Sequence, residues 1–249
     1  MAEEKNEIAW TDVISSERSL FDLRLREVWR YRDLVMIFVR RDFVSTYKQT
    51  ILGPLWHFIR PIITTVLFTI VFGNIAKIST DGIPPFLFYL SGNVLWGYFS
   101  RCVNSTANTF QANSNIFGKV YFPRMSVPIS QAISGLLQFG VQFGMFILFW
   151  IYYYFFTDSN IEINFAYILL LPILIVMMAF LGLGIGILVS AMTTKYKDLQ
   201  VLVEFGIQLL MYMTPIVYPI SMLSDEYKYL AMLNPLASVV EVFRLGFFR

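Results

Sequence analysis

Residues Arg40–Pro61 read RRDFVSTYKQTILGPLWHFIRP, and this stretch divides the chain in two. Before it the sequence is charged; after it almost everything is apolar. Lys48 is the last charge before the chain turns hydrophobic, and Tyr47 and Trp56 are residue types enriched at membrane surfaces. Gly53-Pro54 is expected to end the preceding helix, because proline lacks a backbone donor and its ring collides with the turn before it. Arg60-Pro61 places a second charge and a second expected break just inside the apolar run. The pattern predicts an interfacial helix from which the polypeptide turns into the bilayer.

Composition sets the class. Only 14% of the 249 residues are charged, against roughly 25% in a soluble domain, and 57% are hydrophobic. That is too little polar material to coat a globule. The chain is therefore expected to be an all-α integral membrane protein, a single transmembrane domain over 1–249. Its one cysteine, Cys102, excludes an internal disulfide or a Cys-x-x-Cys metal site and reads as a small packed apolar residue. The start, MAEEKNEIAW, is acidic without an early apolar core, so no cleavable signal peptide is expected.

Residues 1–20 form a polar N-terminal segment. Over 21–46, apolar residues such as Val28, Trp29, Val35, Met36 and Val39 recur at helical spacing among interleaved charges. This predicts an amphipathic helix at the headgroup plane or packed on the protein's own body. Five apolar runs follow, at 55–76, 84–103, 129–156, 165–192 and 199–220, each long enough to cross about 30 Å of hydrocarbon. Lysine and arginine gather on one set of connections, including Arg101, Lys119, Arg124, Lys195 and Lys197, which predicts an N-terminus on the cytosolic side. The tail at 221–249 is amphipathic and interrupted by Asn234-Pro235. It is expected to form two short helices lying at the outer surface, with Lys228, Arg244 and Arg249 on that side.

Polar groups inside the apolar runs are costly unless they are paired or functional. The second run places Tyr89, Asn93, Trp96 and Ser100 on one helical face. The third aligns Gln131, Ser134, Gln138 and Gln142, overlapped by Gly140-xxx-Gly144, and the fifth aligns Gln200, Glu204, Gln208 and Tyr212. Three stripes suggest a shared polar interior; helix–helix hydrogen bonding, at about 1 kcal/mol each, is an equal reading of any single stripe. Glu204 is read as snorkelling to the surface, leaving Arg60 as the remaining deep charge. Too few buried carboxylates are present for an ion-coupled transporter. Alternate glycines at 182, 184 and 186 are read as a close-packing surface. The lone histidine, His57, beside Trp56, is not expected to catalyse or bind metal. No GxxxxGK followed by Ser or Thr occurs, so any ATP would be bound by another chain. Twenty-four Phe, fourteen Tyr and five Trp exceed the needs of two membrane-interface belts. The surplus rings could offer flat faces to sugar C–H bonds.

The run Arg41-Asp42 … Tyr47-Lys48-Gln49-Thr50-Ile51-Leu52-Gly53-Pro54-Leu55-Trp56 resembles the permease subunits of polysaccharide-exporting ABC transporters, which export O-antigen, capsule or teichoic-acid chains. Gly118-Lys119-Val120-Tyr121-Phe122-Pro123-Arg124, then Tyr196-Lys197-Asp198 leading to Thr214-Pro215-Ile216-Val217-Tyr218-Pro219, and Asn234-Pro235 extend the likeness over roughly 21–249. That family has six crossings, and the sixth has no counterpart here.

The resemblance implies a homodimeric permease in the bacterial cytoplasmic (inner) membrane, paired with two copies of a cytosolic ABC ATPase that holds ATP and magnesium. No cofactor is implied for this chain itself. Its cargo would be a polyprenyl-diphosphate-linked polysaccharide, and its other contacts membrane lipid, with no nucleic acid. Residues 104–124 would form a cytosolic coupling loop touching the ATPase through Asn113, Asn115, Ile116, Phe117, Lys119 and Tyr121. Tyr89, Asn93, Trp96, Ser100, Gln131, Gln138, Gln142, Gln208 and Tyr212 would line the cargo route, with Asn234 and Pro235 in an outer gate. Arg40, Arg41, Lys48 and Arg60 would meet the lipid diphosphate or anchor the chain by charge. Alternatives are an ABC permease for a small hydrophobic drug or lipid, and a membrane enzyme acting on polyprenyl-linked sugars. The enzyme would want a cluster of Asp, Glu or His at a membrane surface, which the chain lacks beyond its N-terminal helix.

Overall fold

The computed structural model describes residues 25–47, 51–157, 162–193 and 198–248. The N-terminal segment 1–20 and Lys48 lie outside them. The described residues form helices joined by turns and loops: α1 (Leu25–Arg30), α2 (Arg32–Tyr47), α3 (Trp56–Phe68), α4 (Pro85–Ala107), the short α5 (Thr109–Ala112) and α6 (Ser114–Phe117), α7 (Ser126–Phe156), α8 (Phe165–Thr193), α9 (Leu199–Met213), α10 (Asp225–Met232) and α11 (Pro235–Phe247).

A 3₁₀ turn at Gly53–Leu55 separates α2 from α3, with Gly53 at φ +48°, a left-handed backbone that only glycine adopts without strain. The expected second break does not occur: Pro61 lies within α3 and the helix continues through it. A proline early in a helix removes one backbone bond, and neighbouring helices can re-satisfy the freed carbonyl. The same rod then loosens into a π-helical stretch at Thr69–Ile75.

Helix α4 is the hub, touching α3, α7, α8, α9 and α11. Leu87, Leu90, Val94, Leu95, Phe99 and Val103 are all buried in it. Among the described residues three rods are long and apolar enough to cross a membrane, Gly53–Ile75, Ser126–Phe156 and Phe165–Thr193, or four if the bent pair α10–α11 counts as one span. Helix α4 is long enough but more polar. Its polar side chains meet protein, where Ser and Asn hydrogen-bond across helices, whereas peripheral α8 turns Phe165, Leu169, Ile173 and Phe180 outward. The lipid-facing helix thus has the purest apolar sequence, and the central one does not.

Helices α4 and α8 pack closely because Gly182 and Gly186 face Cys102 and Thr106. Gly184, expected to share that role, has no neighbouring atom within 4 Å of where a Cβ would stand, and neither do Gly140 or Gly144. Cys102 is a buried small residue, as expected.

The largest departure is at the end of the fifth run. Helix α9 stops at Met213 rather than continuing to 220, and its 15 residues rise only about 22 Å. Thr214-Pro215 breaks it, since proline disfavours helix for the residue before it. The chain returns through Ser221, whose hydroxyl donates to the Asp81 carboxylate at 2.7 Å. Helix α10 then leads back to Asn234, whose Nδ2 donates to Thr214 Oγ1 at 3.0 Å. A 99° bend follows, and α11 climbs until the Phe247 carbonyl accepts from Trp150 Nε1 at 3.0 Å. The expectation of two helices resting on the outer surface is therefore corrected. Helix α10 is exposed, but α11 is inserted, burying Leu236, Val239, Val240, Phe243 and Phe247 among the rings of Phe143, Phe146 and Trp150.

Candidate functional site

Between α3, α4 and α7 lies a cavity of about 330 Å³. Asn93 and Trp96 reach it from α4, at i and i+3, and Gln138 and Gln142 from α7, at i and i+4. Periodic polar residues on two neighbouring helices thus meet face to face, as their spacing predicted. From α3 come Trp56, His57 and Arg60, with the Arg60 guanidinium 5.6 Å from the Trp56 ring centroid. Arg101 closes the cavity towards the α2 end, and α9 contributes Met211. Carboxylates are absent among the lining residues. The chamber therefore offers amide donors and acceptors, indole faces and positive charge, a combination suited to hydroxyls, sugar rings and anions.

Other members of the predicted stripes lie elsewhere. Tyr89 is buried in a ring cluster with Phe68, Phe72 and Phe88, away from the cavity. Ser100 turns back to the Gly97 carbonyl at 3.4 Å. Gln131 lines a second, smaller pocket and accepts from Thr109 Oγ1 at 2.5 Å. Asn93 Nδ2 also donates to Thr65 Oγ1 at 3.1 Å, so one cavity residue doubles as a tie between α3 and α4. Gln208 and Tyr212 are exposed on α9, away from the cavity. Helical spacing identified which residues share a face but not what each face meets.

The four basic residues separate similarly. Arg40 is exposed on α2, away from the cavity. Arg41 is paired with Asp42 at 2.8 Å and donates to Asn113 Oδ1 at 3.5 Å. Lys48 lies outside the described residues, and of the four, Arg60 reaches the cavity. Sequence reasoning missed Arg101 and His57 as lining residues. His57 stands one turn before predicted Arg60 on α3, and Arg101 one turn after Gly97, which also lines the cavity.

Arg244, expected among the outer surface charges, is corrected to a buried residue with 4% exposure. Its Nη1 donates to the Pro215 carbonyl at 2.6 Å and Nη2 to those of Ile216 at 3.1 Å and Phe88 at 3.4 Å. Nε reaches Ser91 Oγ at 3.5 Å, Glu241 stands 3.7 Å away, and the guanidinium lies 3.6 Å from the Phe88 ring centroid. The carbonyls freed where α9 unwinds are thereby satisfied inside the protein, as a membrane interior requires. Glu241-x-x-Arg244 in an otherwise apolar helix was the available signal. Asn234 caps α11, its Oδ1 accepting from Leu236 N at 3.0 Å, with Pro235 at the first helical position.

The loop after α4 is docked on α2. Phe38 and Phe122 pack with Val127, and Ile116 and Phe117 cover them; Phe117 stacks on Phe122 at 5.5 Å. Asn113 is buried, its Nδ2 donating to the Thr109 carbonyl at 3.0 Å. Asn113, Ile116 and Phe117 thus fasten the loop, while Asn115, Lys119 and Tyr121 stand exposed. Facing away from the body, α1 leaves Trp29 and α2 leaves Met36, Ile37 and Val44 exposed, while Val35 and Val39 of α2 pack on Ile129 and Ile133 of α7. A body-packed helix and an outward apolar face coexist.

Residues 33–248 match the family described as ABC-2 type transporter, and the chain belongs to that family. It is the multi-pass membrane component of a transporter that works with an ATPase. It is similar to an O-antigen export system permease protein RfbA of Klebsiella pneumoniae, at 26% identity over 209 residues, covering 84% of this chain and 77% of the relative. A protein of the same name from Myxococcus xanthus is 24% identical over 226 residues, covering 90% and 84%.

Proposed function

We propose that this chain is the permease subunit of an exporter of lipid-linked polysaccharide, powered by a separate ATPase. The single observation carrying the reading is the cavity of amides, indoles and guanidinium groups between α3, α4 and α7. Relatives named for O-antigen export support it. The subunit works as a homodimer with two copies of a cytosolic ATPase, which hold ATP and magnesium. It sits in the bacterial cytoplasmic membrane with its N-terminus in the cytosol. Its cargo is a polysaccharide on a polyprenyl diphosphate. Cargo glycans contact Asn93, Trp96, Gln138 and Gln142, while α10 and α11 close the outer side. Gln208 and Tyr212, exposed on α9, belong to the face available to the second copy.

Deleting the gene should leave finished polymer inside the cell, and the tagged permease should copurify with a nucleotide-binding subunit. Polymer reaching the surface of the deletion strain at the normal level would refute the reading.

Motor contact falls to the exposed part of the loop. Lys119→Ala with Tyr121→Ala should cut export severalfold and leave the complex's melting temperature unchanged, because neither side chain is buried. Phe117→Ala should instead destabilise the permease by about 1–3 kcal/mol, since it opens the ring stack on Phe122. Thermal unfolding and export assays on the same variants separate the two effects. Full export by the double variant would remove Lys119 and Tyr121 from the coupling contact.

A further inference from the structure

Two arginines are withdrawn from solvent in this fold, and they are treated differently. Arg244 has three carbonyls, a hydroxyl, a carboxylate and a ring around its guanidinium. Arg101, half-buried in α4, has no hydrogen-bond or ion-pair partner among the described residues. It also lies close enough to Arg60 for the two charges to repel. An arginine in a membrane bundle that has no partner within the protein is costly to keep without an anion to meet it.

Arg101 has a second distinction. Below the main cavity, between α2, α4 and α7, lies a polar pocket of about 200 Å³. It is lined by Asp42 and Ser45 of α2, Ser105 of α4, and Gln131 and Ser134 of α7. The two cavities share Arg101, Gly135 and Gln138. Gly135 leaves room for the Tyr98 ring and the Arg101 stem, 3.5 and 3.8 Å from where its Cβ would be. Asp42 is the one carboxylate among the described lining residues of either cavity, and Arg41 already pairs with it at 2.8 Å. An anion moving up from the α2 end would therefore meet a neutralised mouth, hydroxyls and amides, then Arg101, then Arg60 with His57 beside it.

We propose that Arg101 is the anion-recognition residue of this permease. It takes a phosphate-type head group from the pocket under α2 and holds it, with Arg60, at the floor of the main cavity. Two guanidinium groups match a diphosphate better than a single phosphate, because each offers a forked pair of donors to one group of oxygens. The inference rests on the export reading for the identity of the natural head group, but not for the existence of the anion site.

The test uses the purified permease–ATPase complex in detergent, with farnesyl diphosphate, inorganic pyrophosphate and neutral farnesol as probes. The variants are Arg101→Gln, Arg101→Lys, Arg60→Gln and, as a surface control, Arg32→Gln. Farnesyl diphosphate should bind the wild type and Arg32→Gln alike. Affinity should fall about tenfold or more in Arg101→Gln, and less in Arg101→Lys and Arg60→Gln. Pyrophosphate binding with the same dependence on Arg101 would show that the bare anion suffices; dependence seen with farnesyl diphosphate alone would assign the site to a lipid-borne head group. Farnesol should be insensitive to all four substitutions. Without ligand, Arg101→Gln should melt no lower than wild type, since it removes an uncompensated charge.

Equal diphosphate affinity in Arg101→Gln and wild type would overturn the inference. So would a melting point well below wild type in the unliganded variant, which would make Arg101 structural. Export at the wild-type rate by Arg101→Gln in the deletion strain would also overturn it, while leaving the export reading intact. Failure of the deletion strain to retain polymer would remove the export reading and leave the anion-binding result standing.

Discussion

Arg244→Met is expected to be among the most damaging single substitutions in this chain, costing about 3–5 kcal/mol. Methionine approximates the length of the arginine stem but donates nothing. The carbonyls of Pro215, Ile216 and Phe88 would lose their donors, and Glu241 would lose its neighbouring positive charge. The guanidinium is buried, so no bulk water is at hand to replace those bonds. Gly92, at which an added Cβ would lie 2.8 Å from Ile216 Cγ2, shows how closely the unwound segment is pressed to α4. The loss should appear as a melting point lower by roughly 10 °C and faster hydrogen exchange at 214–218. Arg244→Lys should recover only part of the loss, because an ammonium lacks the planar fork that reaches several carbonyls. A variant with wild-type melting and wild-type exchange would show that the guanidinium does not hold the broken end of α9.

Gly186→Ala should be comparably severe for so small a change. The new methyl carbon would stand 2.5 Å from Thr106 Cβ, 2.8 Å from Thr106 Cγ2 and 3.0 Å from the Val103 carbonyl oxygen. Two of those atoms cannot rotate away, so α4 and α8 must separate, with an expected cost of about 1–3 kcal/mol or more. Gly184→Ala supplies the internal control. It is two residues away in the same helix and meets nothing within 4 Å, so it should be neutral or gain up to about 1 kcal/mol from helix propensity. Melting the two variants side by side decides the matter. Equal stability would mean that α4 and α8 are not held in contact through Gly186. Thr106→Gly should partly rescue Gly186→Ala, as the clash is with that side chain.

The two glycines also show what was legible beforehand. Three alternate glycines announced a close approach, yet a helix turns 100° per residue, so Gly182 and Gly186 could face α4 while Gly184 could not. Reading them as one surface overlooked that geometry. The polar stripes had the opposite character: their helical phase was right, and Asn93, Trp96, Gln138 and Gln142 do converge. Tyr89 left the set because a ring cluster with Phe68, Phe72 and Phe88 took it. Among the basic residues, Arg41 was withdrawn by the carboxylate next to it in sequence, a pairing that Arg41-Asp42 already permitted.

The outer helices were misjudged for a different reason. The amphipathic pattern and the Asn234-Pro235 interruption of residues 221–249 predict surface helices, which holds for exposed α10 but not for α11, which is inserted with one arginine turned inward and saturated. Charge counts measure the cost of exposure to lipid, and α11 is enclosed largely by protein.

The sequence by itself determined the all-helical membrane class, the break at Gly53-Pro54, the division at Asn234-Pro235 and the polar faces of α4 and α7. These depend on composition, backbone restriction and a period of 3.6 residues, all of which are local. The tertiary structure alone decided which polar groups share a cavity, that Arg244 is saturated and Arg101 is not, and that α11 enters the bundle. Those outcomes depend on which helix lies beside which, and the partner of a helical face is set by residues far away in the chain.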